Sequence, residues 1–125
     1  MSSKGTIECS VEQLSELSVE AWRLGQWLSR LDSQSSIGRH VLRKYERFFQ
    51  DLGIEVLDMT GKTYDPGMAL DIIDSIQDDT LESGIEVIDE TIAPIVVYQE
   101  QVIRHGQVVT RKRAEVLEQA TAEEQ

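Results

Sequence analysis

The chain has 125 residues, enough for one domain with a short appendage, and its formal net charge is -11 at pH 7. Phosphate backbones and anionic lipids bind clustered basic residues, so this charge argues against nucleic acid and against a membrane surface as partners. Cys9 is the only cysteine, which excludes an internal disulfide and a cysteine-based metal site within one chain. With neither a signal-peptide pattern nor a run of about 18 apolar residues, we expect a soluble cytoplasmic protein.

The first predicted element is a helix that begins after a flexible polar tail, residues 1–9. Ser10 followed by Gln13 is a capping-box pattern, which marks a helix start. Apolar residues then recur at alternating three- and four-residue steps, the heptad spacing that packs one helix against another. The pattern breaks at residues 32–38 and resumes in register, so one long helix with a weak point and a helical hairpin over residues 10–52 are both open. We favour the hairpin, because the serines, aspartate and glycine of the break disfavour a continuous helix.

One hairpin alone buries such an apolar stripe poorly, and a second copy of the chain would cover it. The sequence therefore predicts a homodimer in which two hairpins form a four-helix bundle with twofold symmetry. The predicted dimer interface consists of apolar heptad residues: Leu14, Leu17, Leu24, Leu28, Leu31, Leu42, Tyr45 and Phe49. The second helix also carries the basic cluster Arg39, Arg43, Lys44 and Arg47. This cluster is either a solvated helix face or a docking patch for an acidic partner.

The hydrophobic period changes from helical to alternating at Gly53, which is predicted to end the helix in the left-handed conformation. From there the sequence predicts a small, mainly antiparallel β domain over residues 53–111, and the fold class is therefore α+β. The predicted strands lie after Gly53, between Pro66 and residue 77, at 84–89, at 95–98, and as two short strands within 102–110 around a His105–Gly106 turn. Residues 112–125 are predicted to form a frayed helix or a flexible tail.

The sequence contains no group of residues typical of an enzyme. Cys9, His40 and His105 are far apart in sequence, and no nucleophile motif accompanies them. Four aspartates between positions 71 and 79 could hold a divalent cation, but they lack the EF-hand spacing, and a solvated acidic turn is the better interpretation. We therefore expect no catalytic residue, no cofactor and no metal. A small hydrolase that uses Cys9 or these aspartates is the weaker alternative.

Four short motifs follow the helical segment in a distinctive order. They are Gly-Ile-Glu-Val-Leu at 53–57, Gly-Lys-Thr-Tyr-Asp-Pro at 61–66, Gly-Ile-Glu-Val-Ile at 84–88 and Val-Ile-Arg at 102–104. In this order they resemble the GrpE family, the nucleotide exchange factors of DnaK-type chaperones, over about residues 14–111. The resemblance implies a parallel dimer with a long coiled coil, a four-helix bundle, and a β domain that inserts into the cleft of the chaperone's ATPase domain.

The resemblance also implies the residues that bind the partner. They are Arg104 near the last hairpin, the neighbouring Gln101 and Gln107, and Tyr64, Asp65 and Pro66 as the brace of the β domain. By this resemblance we expect an exchange factor that binds the ATPase domain of a DnaK-type chaperone, or of a divergent relative, and promotes release of ADP.

The sequence departs from the family pattern at several places on the β domain. Met68–Ala69 replaces a histidine, residues 90–94 replace a Lys-Gly-Tyr turn, and Gln101 replaces an arginine. The residues before the helices are too few for the long coiled coil. These departures leave an alternative open, in which the chain is a GrpE-fold adaptor or scaffold subunit without exchange activity.

Overall fold

The structure is a computed structural model of the chain, and it describes residues 5–31 and 36–114. These residues form two helices followed by two small, mostly antiparallel sheets, which confirms the α+β fold class. The predicted tail at 112–125 lies outside the described residues beyond position 114. None of the described helices has the length and apolar character to cross a membrane.

The helices and strands have the following bounds. The helices are α1, Val11–Arg30, and α2, Ser36–Asp51. The strands are β1, Ile54–Leu57; β2, Leu70–Gln77; β3, Glu86–Ala93; β4, Ile95–Tyr98; β5, Gln101–Arg104; and β6, Gly106–Lys112. One sheet has the order β1-β4-β5 and the other has the order β2-β6-β3.

The described residues divide by their contacts into two units. The first is drawn from Met1–Val56 and Val96–Ile103, and the second from Leu57–Ile95 and Arg104–Gln125. The units alternate along the chain, so they are groups of contacts and not consecutive segments. The predicted domain boundaries therefore stay a prediction.

The start of α1 lies where the sequence predicts it, and the break between the helices overlaps the predicted one at 32–38, although α2 already begins at Ser36. The Ser10 hydroxyl accepts a hydrogen bond from the backbone N–H of Gln13 at 3.0 Å, and the Ser10 backbone N–H donates to the Gln13 side chain at 3.4 Å. This reciprocal cap satisfies two N–H groups that a helix start otherwise leaves unpaired. Because α1 ends at Arg30 and α2 begins at Ser36, the chain forms two helices and not one long helix.

The core of the first unit joins both helices to β1 and β4. Val19 of α1, Phe49 of α2, Ile54 of β1 and Val96 of β4 are buried against one another. Gly53 has φ +83°, a left-handed conformation that side chains other than glycine adopt with strain. This conformation ends α2 as predicted and sends the chain directly into β1, so that Ile54 enters the core.

In the second unit, β6 is the central strand, parallel to β2 and antiparallel to β3. A hydrogen-bonded chain of two hydroxyl groups and one carboxylate crosses the three strands, from Ser75 of β2 through Thr110 of β6 to Glu86 of β3. The buried Thr110 hydroxyl donates to Glu86 Oε2 at 2.5 Å, and its oxygen lies 2.9 Å from the Ser75 hydroxyl. Since the single proton of Thr110 is used on Glu86, Ser75 must donate to Thr110. The chain therefore satisfies the polar group of Thr110, which is completely buried.

The predicted hairpin around His105 and Gly106 is wrong, although its two strands exist. β5 lies at the edge of one sheet and β6 at the centre of the other, so the two strands do not pair. Only His105 separates them, and one residue is too short for the two-residue loop of a tight hairpin. Gly106 is already within β6, where an added Cβ would lie 2.8 Å from the Ala93 carbonyl oxygen and from a methyl group of Leu70. A glycine is therefore needed there for close packing.

Candidate functional site

An exposed apolar surface of the first unit lies on its two helices. We call the exposed residues along α1 the α1 stripe; they are Leu17, Leu24, Trp27 and Leu31, between 41% and 55% exposed. We call those along α2 the α2 stripe; they are Ile37, Val41, Tyr45, Phe48 and Leu52. Each set recurs at steps of three, four or seven residues, so each forms one continuous face of its helix. Soluble monomers seldom expose contiguous apolar faces of this kind, which indicates an interaction surface.

The predicted dimer residues have different positions within this surface. Leu17, Leu24 and Leu31 belong to the α1 stripe, and Tyr45 belongs to the α2 stripe. The half-buried members are Leu14, Leu28 and Leu42. Phe49 lies in the core of its own chain, where it contacts residues of β1 and β4. The heptad pattern thus combined neighbouring residues of α2 that differ in burial, because Phe49 is 5% exposed and Tyr45, one turn earlier, is 41% exposed.

A cleft of about 510 Å³ opens beside α1, α2 and β1 in the first unit. Its apolar and aromatic lining includes Trp22, Leu42, Tyr45 and Phe49, and its polar lining includes Gln26 and Glu46. The apolar and aromatic part of this lining is suited to bind an apolar side chain.

The helices also carry opposite charges on exposed positions. The N-terminal half of α1 exposes Glu12, Glu16 and Glu20, and α2 exposes the basic cluster Arg39, Arg43, Lys44 and Arg47. Glu20 is paired with Arg23 at 2.6 Å. Because one helix is acidic and the other basic, two copies could pair α1 with α2 and bring unlike charges together.

The residues that the GrpE resemblance implies for partner binding fall in both units. Gln101 is exposed on β5 in the first unit, and the other five belong to the second unit. Arg104 is half-buried at the end of β5. Gln107 is exposed on β6, in register with Asp71 of β2 and Ala93 of β3. The structure thus does not bring all six residues together within one unit.

The segment Tyr64–Pro66 is hydrogen-bonded to β3 at Tyr64 and leads into a turn closed between Asp65 and Met68. The Tyr64 backbone N–H donates to the Glu86 carbonyl oxygen at 2.7 Å. The Asp65 carboxylate accepts a hydrogen bond from the Gly67 N–H at 3.0 Å, and the Asp65 carbonyl oxygen accepts one from the Met68 N–H at 2.9 Å. These bonds hold the chain direction around Pro66, which is consistent with a bracing role for the segment.

The residues considered for catalysis are exposed. Cys9 and His40 lie on the surface, and Nδ1 of the exposed His105 lies 3.3 Å from Oδ1 of the exposed Asp71. Over residues 5–31 and 36–114, no group of three or more His, Cys, Asp or Glu residues is placed to hold a metal.

Asp78 has a structural role that sequence reasoning missed. Its Oδ1 accepts hydrogen bonds from the Thr80 hydroxyl and the Thr80 N–H, and its Oδ2 contacts Arg111 Nη1 at 2.5 Å. The bonds from Thr80, supported by Arg111, lower the pKa of the Asp78 carboxyl below its ordinary value. Arg111 also pairs with Asp89 of β3 at 2.8 Å, so it links the turn after β2 to β3. The Asp-x-Thr spacing, which recurs at Asp58 and Thr60, is the signal that could have identified this turn.

No protein-family model matches the chain, and no curated protein matches it. The GrpE resemblance therefore depends on the four motifs and on their places in the fold. Gly53, Gly61 and Gly84, each the first residue of its motif, have φ values of +83°, +89° and +88°. Side chains other than glycine are strained in this conformation, so these glycines are required by the course of the backbone.

Proposed function

We propose that the protein is a GrpE-like nucleotide exchange factor, which binds the ATPase domain of a DnaK-type chaperone and promotes release of ADP. The observation that carries the proposal is the order of the motifs at 53–57, 61–66, 84–88 and 102–104. Three of these motifs begin with a glycine at positive φ, directly before a strand or within a turn. Because a glycine at positive φ is needed at each of these turns, the order of the motifs reflects the order of turns along the backbone. A shared order of turns supports a shared fold with the GrpE family better than a similar composition would.

The proposed mechanism requires no catalytic residue. An exchange factor binds the open cleft of the ATPase domain more tightly than the closed cleft, and this difference in affinity shifts the partner toward the open, nucleotide-releasing state. Linkage makes the effect reciprocal, so nucleotide weakens the complex by the same factor that the complex weakens nucleotide binding.

The proposal includes a homodimer formed through the helices. The α1 stripe and the α2 stripe would be covered by the same surfaces of a second copy, as twofold symmetry requires. The acidic half of α1 and the basic cluster of α2 favour contact between α1 of one copy and α2 of the other, because unlike charges then face each other.

Release of a fluorescent ADP analogue from a purified DnaK-type chaperone tests the proposal. The release rate should increase with added protein and reach a plateau, and excess unlabelled nucleotide should dissociate the complex. The chaperone should release the analogue more slowly with the Arg104→Ala variant than with the unmodified protein. The control is Arg113→Ala, which replaces another arginine of the second unit and should give the same release rate as the unmodified protein. Circular dichroism of both variants controls for unfolding. A release rate unchanged across candidate chaperones would contradict the proposal.

The alternative is a GrpE-fold adaptor without exchange activity. It is favoured by the substitutions at Met68–Ala69, at residues 90–94 and at Gln101, all of which depart from the family pattern where the partner is expected to bind. Affinity purification from native extract separates the two functions. If the protein is an adaptor, it should co-purify with a stable complex that contains no ATPase. If it is an exchange factor, it should co-purify with a chaperone that dissociates from it when nucleotide is added.

A further inference from the structure

Strand β2 has an open outer edge. It pairs with β6 on one side, and within the described part of the chain no strand pairs with its other side. The opposite edge of the same sheet differs, because β3 exchanges hydrogen bonds with residues 61–64: the Gly61 N–H donates to the Ile88 carbonyl oxygen at 2.8 Å, and the Ile88 N–H donates to the Lys62 carbonyl oxygen at 2.9 Å. The second unit thus covers one edge of its sheet and leaves an eight-residue edge open.

The open edge is unusually apolar. Apart from Leu70, every residue of β2 is exposed, and these include Ile72, Ile73 and Ile76 at 38%, 52% and 45%. Exposed edges of natural sheets usually carry charges, prolines or bulges that prevent another chain from pairing. β2 has a register shift between Ile72 and Asp74, yet it retains three β-branched apolar side chains on the open strand. The Ser75 N–H donates to the Asp74 carboxylate at 2.8 Å, a local bond that a docking strand would replace. An edge without a neighbouring strand among the described residues, and with exposed isoleucines, is suited to accept an additional strand.

Charge determines which strand the edge would accept. Between Gly67 and Ile103 the sequence has nine Asp or Glu residues and no Lys or Arg. Asp71 and Asp74 lie on β2 itself and are exposed. Arg111, which is in register with Ile76, is held by Asp78 and Asp89 and does not reverse this acidic field. A second copy of β2 would place aspartates opposite aspartates, which destabilises strand pairing. A segment that alternates apolar and basic residues would place lysine or arginine beside these carboxylates.

We propose that the outer edge of β2 binds an extended segment of a partner protein, with alternating apolar and basic residues, as an added strand. Backbone hydrogen bonds provide the affinity, the apolar side chains cover Ile72, and the basic side chains pair with Asp71 and Asp74. Ile72 is in register with Val108, whereas Asp71 and Asp74 are in register with Gln107 and Val109, so the two aspartates lie on the opposite face of the sheet from Ile72. The inference does not depend on nucleotide exchange activity, because it rests only on the edge of this sheet.

A fluorescent peptide that alternates valine and lysine tests the proposal with the full chain. Fluorescence anisotropy should show saturable binding, and amide hydrogen exchange by NMR should show new protection within residues 70–77. Two control peptides should bind at least about tenfold more weakly: one with glutamate in place of lysine, and one with the same charges but two prolines in place of valine.

Matched variants test which charges are used. Asp71→Lys combined with Asp74→Lys should weaken peptide binding at least about tenfold, while Glu82→Lys combined with Glu100→Lys, which makes the same net charge change elsewhere, should weaken it less than about threefold. The proposal is overturned by an absence of binding, by equal binding of the proline peptide, by protection outside β2, or by equal effects of the two double variants. Protection of β2 that grows with protein concentration without peptide would overturn it in favour of self-pairing.

Discussion

The helices of the first unit and the strands β3 and β6 of the second unit bury their apolar residues to very different extents. Ile88 of β3 and Val108 of β6 are completely buried within one chain. Leu17 and Leu24 of α1, which follow an equally regular pattern, are 49% and 41% exposed. A periodic apolar pattern therefore predicts that a face will be covered, but it does not say whether the cover comes from the same chain. The side chains of Ile88 and Val108 are covered by their own chain, whereas the α1 stripe, like the outer edge of β2, is exposed surface that a partner could cover.

The strongest test of this contrast removes a buried strand residue. Ile88→Ala should lower the free energy of unfolding by about 2 to 5 kcal/mol, because it removes buried methyl groups and leaves a cavity. Urea unfolding followed by circular dichroism measures the change. The control is Ile73→Ala on β2, where the side chain is 52% exposed and the loss should stay below about 1 kcal/mol. Equal losses would mean that Ile88 and Ile73 are buried to the same extent in solution, which would contradict the difference in their exposure.

A second test examines the hydroxyl chain across the same sheet. Thr110→Val keeps the shape of the buried side chain but removes the donor to Glu86 and the acceptor for Ser75, so we expect a loss of about 1 to 3 kcal/mol in unfolding free energy. Thr63→Val, at an exposed position of the second unit, is the matched substitution and should have little effect. If the two variants were equally stable, the polar chain would not contribute to stability.

A third test asks whether the helical surface is covered by another copy. Leu24→Ala should cost less than about 1 kcal/mol at protein concentrations at which the chain is monomeric, because the side chain is already partly in water. At high concentration the loss should grow, since dimer stability depends on protein concentration. Light scattering combined with urea unfolding at two concentrations measures both effects. Val19→Ala, in the core of the first unit, should give a loss independent of concentration.

Much of the fold was predictable where local chemistry determines the backbone. The capping box at Ser10 and the left-handed glycine at 53 both lie at element boundaries. The pairing of strands was not predictable, because β6 pairs with β2 and β3 across long separations that local patterns do not encode. The turn at Gln99–Glu100 was also missed: both residues have positive φ, as in a type I′ hairpin, without the asparagine or glycine that signals one.

The candidate site was predictable only in part. The heptad pattern predicted an interaction surface on the helices but could not separate the buried Phe49 from the more exposed Tyr45, because residues one turn apart share a side of α2 and their burial depends on what packs against each turn. The open edge of β2 was missed for a related reason. The β-branched content of the segment after Pro66 predicts a strand, but whether a strand lies at an edge depends on the topology of the whole sheet.

The smallest expected effect concerns the turn that fastens the end of β2, and it appears as a dependence on pH. The pKa of Asp78 is below its ordinary value of 3.8, first because Thr80 donates two hydrogen bonds and then because of Arg111. A carboxyl whose pKa is lower in the folded state stabilises that state above its unfolded pKa and loses this contribution as the pH falls through the lowered value. The difference in unfolding free energy between the unmodified protein and Asp78→Asn should therefore be constant above about pH 5 and shrink toward pH 2.

Thr80→Ala should reduce the same pH dependence, because Thr80 is the largest cause of the lowered pKa, and Asp79→Asn at the neighbouring exposed position serves as the control. Parallel pH profiles for the unmodified protein and Asp78→Asn would contradict the role of this carboxylate. A loss of unfolding free energy at acid pH that depends on Asp78 would instead show that hydrogen bonds within the second unit stabilise this turn. The buried residues Ile88 and Val108 are likewise covered within one chain, in contrast to the exposed α1 stripe.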